Sequence, residues 1–101
     1  MEAVRSKNGV PIRLTLNRWL HIVEYHDDVA GYHNSVLDAV EDPDAIAHGK
    51  TGELLAMRTI EGRTLVVAYK EISQHDGFVI TAFFTTQPQR IRKRGLVWQK
   101  P

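Results

Sequence analysis

The 101-residue chain contains no cysteine. Disulfide frameworks, thiolate nucleophiles and cysteine-ligated zinc or iron–sulfur centres are therefore excluded together. It also lacks any run approaching the roughly 18 apolar residues of a membrane-spanning helix, so no membrane partner is expected. There is no Gly-rich phosphate loop, no nucleophile elbow around Ser35 and no HExxH pair. Triphosphatase, serine hydrolase and zinc protease readings thus find no support, and neither a metal nor a cofactor is expected. The N-terminal MEAVRSKNGVP has charges and a Gly-Val-Pro turn but not the apolar stretch of a secretory signal, and the expected location is cytoplasmic.

What remains is the composition of one soluble globular domain, 43% hydrophobic and 25% charged, both ordinary values for a chain with a single core. A formal net charge of +1 conceals an asymmetry. From His21 to Glu53 eight acids stand against Lys50 alone, whereas Arg90, Arg92, Lys93, Arg94 and Lys100 follow one another with no acid among them. A basic segment beside an acidic one suggests a polyanionic partner, or an acidic protein that competes for the same surface.

Apolar spacing organises the chain. Thr15 is a suitable N-cap for an amphipathic helix carrying Leu16, Trp19, Leu20 and Val23 and ending near Tyr25 or His26. Asn34 or Ser35 can cap a second, short helix with Val36, Leu37 and Val40 inward, stopped by Asp42-Pro43. PDAIAHG, with Pro43 at the first helical position and Gly49 beyond the end, predicts a third short helix. From Gly52 the period becomes that of strands. ELLAMRTI, TLVVAYKEI and GFVITAFFTT are joined by Glu61-Gly62 and SQHDG, as in consecutive hairpins. After Pro88, RIRKRGLVWQ predicts a last strand bent at Gly95, with Trp98 returning to the core. The expected fold is α+β: two or three N-terminal helices packed on a three- to four-stranded antiparallel β-meander. In GFVITAFFTT, Phe78, Ile80, Ala82 and Phe84 are expected to face the helices, leaving Val79, Thr81, Phe83 and Thr85 on the other side.

RWLHIVEYHDD concentrates titratable groups on the first helix. His21 and His26 point roughly 140° apart on a straight helix, unlike an i, i+4 metal pair. Either His26 leaves the helix and swings round, or only one of the two joins a site completed from the sheet; the second arrangement is preferred. Asp27 and Asp28 could orient His26 or reach a residue across the fold. His33, His48 and His75 read as surface residues.

His21-Ile22 followed by His26, the EDPD of Glu41 to Asp44, the GELLA from Gly52 and the VITAFFT of Val79 to Thr85 together resemble the small phage and bacterial nucleases related to barnase, EndoU, colicin and RelE ribonucleases. The similarity spans roughly His21 to Arg94. It implies that superfamily's fold and metal-independent endonucleolytic cleavage of RNA by 2′-OH attack, a toxin-type activity. His21 and His26 would then transfer protons. Lys70 or Arg58 would stabilise charge at the phosphate, Thr81 and Thr85 would bond its oxygens, and Tyr69 would stack or donate a proton. Arg90, Arg92, Lys93 and Arg94 would grip the RNA backbone. The implied partners are RNA and a small acidic antitoxin or inhibitor. The alternative is a noncatalytic RNA- or protein-binding module of the same fold. A third reading is a homodimer or small-ligand domain with Phe83 and Trp98 at an interface.

Overall fold

Two short runs at the start of the chain, β1 (Glu2–Arg5) and β2 (Pro11–Leu14), form an antiparallel hairpin not expected from the sequence. The computed structural model describes residues 2–101. After the hairpin come α1 (Leu16–Tyr25), a 3-10 turn (Asp27–Val29), α2 (His33–Glu41), β3 (Ala45–His48), β4 (Leu54–Ile60), β5 (Arg63–Glu71), β6 (Gly77–Thr85), α3 (Pro88–Arg92) and β7 (Leu96–Gln99). The strands make one mixed sheet in the order β1-β2-β6-β5-β4-β3-β7. Among the described residues, its single parallel pairing joins β2 to β6 at Ile12 and Arg13. Among the described residues no helix is long and apolar enough to cross a membrane.

The expected three- to four-stranded meander with N-terminal helices is therefore corrected. β4, β5 and β6 do form the expected hairpins, the first closed by a two-residue turn at Glu61 and Gly62. Both turn residues have positive φ, 51° and 81°, the geometry that matches strand twist and favours glycine. The meander is extended on both sides, however; α1 and α2 lie between β2 and β3 in the chain, and α3 between β6 and β7.

The expected third helix, PDAIAHG, is instead strand β3. Asp44 N donates to Met57 O and Asp44 O accepts from Lys100 N. The Asp44 carboxylate also takes the Thr59 N–H at 2.8 Å. Held between β4 and β7, Ala45, Ile46 and Ala47 are buried, and this tertiary pairing overrides the weak strand preference of the two alanines. The last segment divides at Arg92 into α3 and β7, with Gly95 at φ 102° between them.

α1 starts at the expected cap, Thr15 Oγ1 accepting from Arg18 N at 3.1 Å. α2 starts at His33, ahead of the expected caps, and buries Val36, Leu37, Ala39 and Val40. These meet Leu65, Val67, Tyr69, Val79 and Ala82 on one sheet face to make the main core. Full burial of each larger aliphatic side chain there is worth about 1.5–3 kcal/mol. A second cluster, Ala45, Ala47, Leu55, Met57, Val66 and Ala68, lies on the opposite face beneath Ile91 of α3. The sheet coils so far that Lys7, in the β1–β2 turn, has its Nζ 4.9 Å from the ring centre of Trp98 on the far edge strand. Trp98 is thus half-buried under a cation and belongs to neither core cluster.

Candidate active-site groove

The site begins with a defect in the sheet. β5 and β6 pair Ala68 with Thr81 but Tyr69 with Val79, leaving Ile80 as an extra residue, a β-bulge. The bulge reverses the expected facing below it. Val79 joins the helix-side core with Ala82 and Phe84, while Ile80 and Phe83 pack against the opposite cluster. An unpaired bulge carbonyl needs a donor. Arg18 Nη1 supplies it, reaching Ile80 O at 3.3 Å and tying α1 to the strand.

β2 pairs with only the first two residues of β6, so α1 lies along the rest of that strand's outer side. Its Trp19, Ile22 and Val23 enter the main core. Arg18, His21 and Tyr25 face the other way. With His26, Ile80 and Thr81 they line an open groove of about 290 Å³ that contains no carboxylate.

Both histidines thus line one cavity, the arrangement not preferred from the sequence. The 140° separation applies only to a continuing helix. His26 is the C-cap, with φ −136° and ψ 72°, and its N–H donates to Ile22 O at 2.8 Å. That departure turns its ring towards Phe83, with centroids 5.9 Å apart. His21 remains on the helix, exposed, its ring 4.8 Å from that of Tyr25. Asp28 reaches across the fold, 4.0 Å from Arg63. The Arg63 guanidinium lies 3.9 Å from the Phe84 ring centre, fixing the turn that follows His26.

Pairing register places the remaining candidates. Lys70, Thr81, Phe83 and Thr85 share the sheet face opposite α1 and α2, because their partners alternate with the core-facing residues of β5. Lys70 is exposed and Thr81 half-buried in the groove. Thr85 has a structural task as well, its Oγ1 accepting from Gln87 N at 3.0 Å at the entry to α3. Phe83 is half-buried in the second cluster and is not an exposed interface residue. On the same side Ile91 anchors α3 and leaves Arg90, Arg92, Lys93 and Arg94 in solvent. Nearby Glu53 is held below the usual carboxylate range, first by the Thr51 backbone N–H and to a smaller extent by Arg94.

Two candidates lie elsewhere. Arg58 projects from the helix-side face of β4, donating to Asp42 O at 2.9 Å. Tyr69 is fully buried in the main core. Burial first, and Glu71 second, push its ionisation well above the ordinary phenol range. Neither can meet a substrate held between the histidines. The residues that sequence reasoning missed are Arg18 and Tyr25, whose only signal was their helical spacing, three residues before and four after His21. Compared with known proteins, the chain matches no family model and no curated protein sequence.

Proposed function

We propose that the protein is a metal-independent endoribonuclease of toxin type, acting in the cytoplasm, with its site in the α1–β6 groove. The 2′ oxygen of RNA attacks the adjacent phosphorus as the bond to the 5′ oxygen breaks. One histidine of the His21 and His26 pair takes the 2′-OH proton, and the other protonates the leaving 5′ oxygen. The products are a 2′,3′-cyclic phosphate and a free 5′-OH.

The observation that carries this reading is the meeting of two histidines and an arginine in one open cavity without a carboxylate. Arg18 uses one of its five N–H donors on Ile80, leaving others for charge developing at the phosphate. Thr81 offers a hydroxyl to the same oxygens, and Lys70 adds positive charge on that sheet face. Phe83 and Tyr25 offer rings to bases. Further support comes from the chain itself: of the stretches that resemble the barnase, EndoU, colicin and RelE nucleases, His21, Ile22, His26 and Val79 to Thr85 belong to the groove and its immediate frame, whereas Glu41 to Asp44 and the GELLA from Gly52 lie outside it. Arg90, Arg92, Lys93 and Arg94 would hold the RNA backbone beyond it, and a small acidic inhibitor covering them would restrain the free enzyme.

The test is cleavage of labelled total RNA in EDTA, comparing wild type with His21→Ala, His26→Ala and Lys70→Ala, with folding checked by circular dichroism. Each histidine variant is expected to lose about 10²–10⁴-fold in rate while remaining folded. RNA binding without cleavage by wild-type protein, freed of any copurifying partner, would replace the enzyme by a noncatalytic binding module.

A further inference from the structure

A second cavity of about 320 Å³, lined by Thr15, Asn17, Arg18 and His21, adjoins the first and shares Arg18 and His21 with it. The two lie side by side along α1, and Arg18 and His21 line both. Every lining side chain of the second cavity can donate a hydrogen bond, and none is a carboxylate. Two other surface cavities differ in this respect. One is lined by Arg5 with Glu41, the other by Glu2 and His33 with apolar Leu14, Leu16 and Trp19. The two adjoining cavities along α1 thus combine cationic and neutral donors without a lining acid that would repel an anion.

The proposed chemistry fills only one of the two. A scissile phosphate between His21 and His26 occupies the part formed by Ile80 and Thr81. Successive phosphates of an extended strand lie roughly 6–7 Å apart, close to the pitch of one helical turn, about 5.4 Å. Asn17 and His21 are separated by four residues, so a strand following α1 from His21 meets Asn17 at the next phosphate.

We propose that the Thr15–Asn17 cavity is a second phosphate subsite, binding the backbone phosphate next to the scissile one and setting the direction in which an RNA strand lies along α1. The placement of the scissile phosphate rests on the nuclease reading; the existence of the anion subsite does not. Asn17 supplies an amide donor there, and Arg18 spans both phosphates.

The test uses a mixed-sequence 2′-O-methyl oligonucleotide, which cannot undergo 2′-OH attack, with each linkage in turn replaced by an uncharged methylphosphonate. Binding to full-length wild type and to Asn17→Asp is measured by fluorescence anisotropy. A parallel set with one central ribonucleotide, in all four base versions, reports cleavage. Neutralising one linkage beside the central position is expected to weaken wild-type binding about tenfold. In Asn17→Asp the same replacement should change affinity less than about twofold, because the introduced carboxylate already opposes that phosphate. The same dependence without cleavage would leave the subsite standing and remove the nuclease. Equal sensitivity of both proteins at every linkage, or no binding at all, would overturn the subsite. Cleavage accompanied by equal sensitivity would overturn it while leaving the nuclease intact.

Discussion

Replacing Tyr69 by phenylalanine should stabilise the protein. The Tyr69 side chain is fully buried between Leu54 and Val79 on neighbouring strands. Its hydroxyl has no hydrogen-bond partner among the described residues. In the unfolded chain that hydroxyl is hydrated, so folding strips its water without replacing the bond, at a cost of about 1–3 kcal/mol. Phenylalanine keeps the ring and its packing and removes the group that carries the cost. Allowing for the small gap left by the missing oxygen, the expected gain is about 1 kcal/mol, a rise of roughly 4–8 °C in Tm for a domain of this size. Urea unfolding should show a higher midpoint with an unchanged m-value. RNA cleavage should persist, because the phenol lies on the core side of the sheet. Tyr69→Ala provides the opposite control, with an expected loss of about 3–5 kcal/mol. A Phe variant destabilised by about 1 kcal/mol or more would refute the reasoning and imply that a buried water satisfies the hydroxyl. A stable Phe variant that no longer cleaves RNA would refute the assignment of this side to packing alone.

Gly77 marks where β2 approaches β6. A Cβ there would lie 2.6 Å from Lys70 O and 2.5 Å from Ile12 Cδ1; Gly77→Ala should cost about 1–3 kcal/mol by overpacking, read as a lower urea midpoint. Arg13 and Asp76 join β2 to the β5–β6 turn through two bonds of 2.9 Å, which hold the Asp76 carboxyl below its ordinary value of 3.8. Because its folded pKa is depressed, that stabilisation is present above 3.8 and is lost as pH falls through the folded value. The Tm gap between wild type and Asp76→Asn should therefore narrow on acidification, and a constant gap would contradict the pairing. Finally, Arg92→Ala and Arg94→Ala should each reduce the slope of log affinity against log salt by about 0.7 for single-stranded RNA, measured by titration at several salt concentrations. An unchanged slope would remove α3 from the RNA contact.

Legibility in the sequence followed the strength of local signals. α1 was marked by its cap and apolar spacing, and β4 to β6 by β-branched runs with a recognisable turn at Glu61-Gly62. β1 and β2 had a signal too, Asn8-Gly9 between two four-residue runs, but runs that short carry little periodicity. β3 offered almost none, because Ala45 and Ala47 are small for the sake of the surrounding strands and not of their own conformation. At the site, the histidines and Thr81 were visible as residue types. Their meeting was not, since it depends on a bulge at Ile80 and a helix stop at His26, each a one-residue irregularity. Arg18 acquires its position only through that bulge.

The position of β3 between β4 and β7 also bears on biosynthesis. β4 follows β3 directly, but β7 ends at Gln99, 51 residues after His48. At about 5–20 residues per second, a ribosome takes roughly 3–10 s to make that interval. Until β7 has formed, one side of β3 has no strand to pair with, and chains lacking β7 would present a bare AIA edge to one another. A chain cut before Leu96 should accordingly aggregate more readily than the full chain at equal concentration, as read by light scattering.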